Sequence, residues 1–96
     1  MVGSAGRDLR HIQKHYRDYF RSLEIFDESE DFADFAVATE TDPEKLVKVR
    51  LGLNGFQDTS SGLVYESFEA LISALMGAHA FSQLMSRLVS QRFKEA

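Results

Sequence analysis

Asp8, His11 and His15 follow one another at i, i+3 and i+7, which places all three on one face of a helix. Two imidazoles and a carboxylate are chemically suitable ligands for zinc, iron or nickel. A straight helix holds the outer two roughly 10 Å apart at the backbone, a poor arrangement for a single ion. His11 and His15 alone could hold an ion on the surface, but a solvated helix face beside a basic stripe is the simpler reading, so no metal ligand is assigned. His79 lies in an apolar stretch with Met76, Gly77, Ala78 and Ala80. No Asp or Glu stands within a helical turn of it to activate it as a base. A satisfied structural histidine is expected there, with a pH-sensing role as the alternative.

The run Asp58-Thr59-Ser60-Ser61-Gly62, with Asn54-Gly55 before it, contains the glycines and hydroxyls that phosphate loops use. Their spacing fits neither nucleotide fingerprint, and no Gly-Lys-Ser/Thr follows. Turn chemistry accounts for them. The sequence carries no nucleophile elbow, P-loop, HExxH or EF-hand loop. With no cysteine, a disulfide framework, a zinc ribbon and a Cys nucleophile are excluded. No catalytic residue and no cofactor are therefore expected.

Charge is the stronger signal. The 96 residues carry a formal net charge of -4, from 11 Lys+Arg and 15 Asp+Glu. That sum hides a division. Residues 7–21 hold Arg7, Arg10, Lys14, Arg17 and Arg21 against Asp8 and Asp18. Residues 24–34 hold Glu24, Asp27, Glu28, Glu30, Asp31 and Asp34 with no base, and Ile25, Phe26 and Phe32 are set among them. Arg10, Lys14, Arg17 and Arg21 suit an acidic partner or a phosphate backbone. Glu28, Glu30 and Asp31 suit a basic partner, or imitate phosphates in an inhibitor. The acidic total disfavours general nucleic-acid binding.

The elements that must carry these groups follow from periodicity. Leu9, Ile12, Tyr16, Tyr19, Phe20 and Leu23 recur at three- and four-residue spacing and predict a helix over 5–23. The acidic run 24–34 reads as a loop anchored by its aromatics. Phe35, Val37 and Thr39 alternate as a strand. Thr41-Asp42-Pro43-Glu44 is a turn. Val47, Val49, Leu51 and Leu53 mark a second strand over 46–53, and Asn54-Gly55 signals a hairpin. The return strand could begin at Phe56 or Leu63, with 63–66 favoured. Ser67 is an N-cap with Glu69 in the first turn. A helix then runs from Phe68 toward Arg92. Phe68, Leu71, Ile72, Leu75 and Met76 lie on one side of it. Phe81, Leu84, Met85, Leu88 and Val89 lie on a side rotated by well over 100°, the change falling near Gly77. The helix either breaks at Gly77 over one core or presents its second half to another chain.

The expected fold is a single α+β domain over 1–96, with 1–5 as a disordered leader. About three antiparallel strands are flanked by an N-terminal and a C-terminal helix on one face of the sheet. Its core is expected from Ile12, Tyr16, Phe20, Phe35, Val37, Val47, Val49, Leu51, Leu71, Ile72 and Leu75. No apolar stretch spans a bilayer, and a cysteine-free chain with no visible leader suits the cytoplasm. The expected function is a non-enzymatic protein-interaction module of adaptor, chaperone or inhibitor type. It self-associates as a homodimer through Phe81, Leu84, Met85 and Leu88. A nucleic-acid-associated regulator using the basic helix face, or an inhibitor mimicking nucleic acid through 24–34, is the alternative.

Overall fold

A computed structural model describes residues 4–95, with side chains from 5 to 91. The first helix, α1, runs Ser4–His15. Its apolar edge enters the core at Ala5 and Leu9, and Ile12 packs against it. The predicted leader thus begins to fold at Ser4, and Ala5 is a core residue; residues 1–3 lie outside the described part. The helix is also shorter than the predicted 5–23. Tyr16 closes the last helical bond to the Ile12 carbonyl, a 3-10 turn covers Arg17–Tyr19, and Phe20 is already extended. The cause is aromatic packing. Tyr16 and Phe20 both reach the ring of Phe68, at 5.8 and 5.6 Å between centroids, while Tyr19 meets Phe81 at 6.2 Å. A continued α-helix would turn Tyr19 and Phe20 about 100° apart.

Five antiparallel strands follow in chain order, each beside the next: β1 Ser22–Glu28, β2 Ala33–Ala38, β3 Val47–Gly52, β4 Gly55–Asp58 and β5 Val64–Tyr65. The α+β expectation stands, but with five strands instead of about three. β2, β3 and β5 occupy the predicted places. β4 forms as well as β5, so both candidate return strands are used. β1 is the larger correction, because the acidic run read as a loop is half of a hairpin. Its alternation was present: Leu23 and Ile25 face the core while Glu24 faces solvent.

Alternation divides the sheet. Leu23, Ala33, Phe35, Val37, Val49, Leu51 and Phe56 form one buried cluster with Leu9, Phe68, Leu71, Ile72 and Leu84 from the helices. Glu24, Lys48, Arg50 and Gln57 point the other way and are exposed. The helices therefore cover one face. The expected core residues Phe20, Phe35, Val37, Val49, Leu51, Leu71 and Ile72 are buried, while Ile12, Tyr16, Val47 and Leu75 are partly buried at its margin. Phe56 and Phe68 are the important additions. Phe56 packs edge-on against both Phe35 and Phe68, so one aromatic chain joins β2, β4 and the helical layer.

Ser67 caps the second helix, α2 (Phe68–Met76), by accepting the Ala70 N–H at 3.1 Å. Gly77 then breaks the chain direction, and α3 runs Ala78–Glu95. The Gly77 N–H closes α2 on the Ser73 carbonyl, and its own carbonyl accepts from Phe81 N–H to open α3. Its φ of 93° and ψ of 149° belong to a region open essentially to glycine alone. The rotation between the two apolar stripes predicted either a break or a second chain; a break occurs, and Leu84 from the far side is buried in the same core at 3% exposure. No helix among the described residues is long and apolar enough to cross a membrane.

Candidate interaction surfaces

The predicted self-association stripe lies on α3. Phe81, Leu84, Met85 and Leu88 share one helical edge, spaced three and four residues apart. Leu84 belongs to the core. Phe81, Met85 and Leu88 are half-buried against it, and Val89, next along the edge, is 46% exposed. The stripe is thus divided lengthwise: its centre closes the chain's own fold and its flank stays open. Nearby, Arg87 pairs with Glu40 of the β2–β3 connection at 3.6 Å.

The basic residues separate. Arg7, Arg10 and Lys14 are on α1, Arg17 opens the 3-10 turn and Arg21 precedes β1. All are exposed. Because α1 stops at His15, they do not form one straight helical stripe, and the single face predicted for all five is lost. Arg10 forms an ion pair with Glu28. Arg17 lines a hollow with Asp18, Glu40 and Arg87, where basic and acidic groups alternate. The Arg21 N–H instead bonds the Ala38 carbonyl and extends the β1–β2 ladder.

Of the predicted acidic contacts, Glu28 is held by Arg10, whereas Glu30 and Asp31 are exposed at the β1–β2 turn. Asp34 faces Arg50 directly across the β2–β3 pair. Both carboxylate oxygens accept from Arg50, at 2.7 and 2.9 Å, and the guanidinium lies 4.0 Å over the Phe32 ring. These hydrogen bonds to Asp34 hold the Arg50 guanidinium pKa above its ordinary value. Phe32 is therefore a platform for an outer-face ion pair, a role its position in an acidic run did not signal. The cross-strand register alone reveals it.

The sheet edges are poor docking strands. β1 bulges between Ile25 and Asp27 and bears Glu24, Asp27 and Glu28. The Gln13 side chain donates to its Leu23 carbonyl at 2.8 Å. β5 has only two residues. Bulges, charge and brevity all discourage strand addition.

The histidines differ from expectation in one case. His79 is exposed near the start of α3, so it is not the buried structural residue that its apolar neighbours suggested. His11 and His15 are exposed on α1, with ring centroids 4.1 Å apart. They share a hollow of about 290 Å³ with Tyr16, Tyr19 and Glu69. Among the described residues, no three His, Asp or Glu side chains already stand together as a metal cage. The Asp58 run makes a turn, as predicted: its carboxylate accepts the Ser60 N–H at 2.8 Å, and Gly62 N–H bonds the Asp58 carbonyl.

No protein-family model, curated protein or solved structure matches the chain.

Proposed function

We propose that the chain is a small, non-enzymatic protein-interaction module that pairs with a second copy through the open flank of α3. The observation carrying this reading is the incomplete burial of that helix. α3 is 18 residues long, yet of its described side chains only Leu84 is buried. Phe81, Met85 and Leu88 stay half-buried beside an exposed Val89. A second copy offers the same stripe, and two such stripes bury each other about a two-fold axis. The apolar contact supplies affinity, and the exposed charges of α1 and the β1–β2 turn set orientation and association rate. A reducing, cytoplasmic setting suits a chain without cysteine.

Sedimentation or light scattering over a concentration series tests the reading. A dimer is expected, and Val89→Glu or Leu88→Glu should return it to monomer with the fold intact. Leu84→Glu is unsuitable, because it places a charge in the core. A wild-type chain that stays monomeric at every concentration, with no partner retained at α3, would defeat the proposal.

A further inference from the structure

We propose that His11 and His15, with Glu69 lining the same hollow, form a surface site for a borderline divalent transition-metal ion such as zinc, nickel or copper. The site is independent of the α3 interface. Three observations combine. The two imidazoles occupy successive turns on one face of α1, with ring centroids 4.1 Å apart. Histidine pairs at this spacing chelate one ion from a single helix. With metal–nitrogen bonds of about 2.0–2.1 Å, the rings of a tetrahedral chelate stand roughly 5 Å apart between centroids. Two exposed side chains must therefore open by about 1 Å to close on an ion.

Glu69 is the second element's contribution. It lies in the first turn of α2 and lines the same hollow as both histidines. Sequence spacing could not place it there, because Glu69 lies 54 positions after His15. The carboxylate supplies the negative charge that a dicationic ion needs, accepting hydrogen bonds from its coordinated water. The hollow, about 290 Å³, accommodates those waters between Tyr16 and Tyr19. Asp8, one turn before His11, adds a further carboxylate on that side of α1, which partly offsets the charge of neighbouring Lys14.

The donor set selects the metal. Imidazole suits zinc, copper and nickel, whereas magnesium and calcium prefer oxygen cages. The chain has no thiolate to compete, and its only other imidazole, His79, belongs to α3. An ion held by α1 and Glu69 also ties the first helix to α2, so binding should stabilise the folded state.

Thermal unfolding of the untagged chain with Zn²⁺ or Ni²⁺, and NMR of the imidazole resonances during the same titration, test the site. A saturable rise in Tm is expected, with His11 and His15 resonances shifting together and His79 unmoved. His11→Ala and His15→Ala should each abolish the response. Glu69→Gln should weaken it about 10-fold or more, as loss of an outer carboxylate partner does. No metal-dependent change in either measurement would overturn the proposal, as would a response that survives the double His11→Ala/His15→Ala variant. An affinity unchanged by Glu69→Gln would overturn the carboxylate's part in it. Because neither readout involves association through α3, a monomeric chain can still pass or fail this test.

Discussion

α2 and α3 are consecutive helices joined by one glycine, yet their side chains are used differently. α2 has nine residues and buries Phe68, Leu71 and Ile72. α3 has twice that length and, among its described side chains, buries only Leu84. α2 lies where the aromatic cluster and the inner sheet face converge, so the first two turns of its apolar edge are buried by this chain, with Leu75 and Met76 partly buried at the end. α3 starts from a redirected axis, and among the described residues its flank stays open at Val89. Within one molecule, one stripe is mostly buried by the chain's own core, and the other is half covered and stays open at Val89.

The contrast can be broken most forcefully in α2. Leu71→Ala should cost about 2–5 kcal/mol in chemical denaturation, because it empties a site with no exposure. A loss below about 1 kcal/mol would mean that α2 is less essential than its burial indicates. Next comes the hinge. Gly77→Ala should cost about 1–3 kcal/mol, although a Cβ there meets nothing within 4 Å. The penalty is conformational, so it should be similar for Gly77→Ser; equal stability of wild type and both variants would remove the strained hinge. Ser67→Ala removes the α2 cap and should cost about 1 kcal/mol, with hydrogen exchange accelerating first at Ala70. The smallest effect on stability belongs to α3. Val89→Glu should change unfolding of the monomer by no more than about 0.5 kcal/mol. It should still abolish concentration-dependent association, and a large loss of monomer stability would move Val89 into the core.

Much of this was legible before any coordinates. The alternation of Phe35, Val37, Val49 and Leu51 announced the central strands, and Ser67 announced the start of α2. The rotation of apolar positions at Gly77 announced a discontinuity. The charge of the acidic run suggests a loop, but its period is that of a strand: Leu23 and Ile25 alternate with Glu24, and a strand at a sheet edge tolerates carboxylates on its open side. Tyr19, Phe20 and Leu23 continue the spacing of the first helix, so the sequence alone does not show where it ends; their contacts with Phe81, Phe68 and the sheet accompany the turn and strand. Of the candidate surface, the α3 stripe was readable as a helical edge. Which of its residues faced inward was not, and Leu84 went to the core.

The α+β composition, the central strands, the glycine at the helix break and the separation of basic from acidic stretches are all legible along the chain. Those properties are local, set by period, dihedral preference and side-chain type. Only the packing of distant segments brings Arg50 to Asp34 over Phe32, places Glu69 on the same hollow as His11 and His15, and leaves the flank of the α3 stripe uncovered. Each of these joins residues distant in the chain, and their meeting depends on strand register and helix direction rather than on any spacing along the sequence.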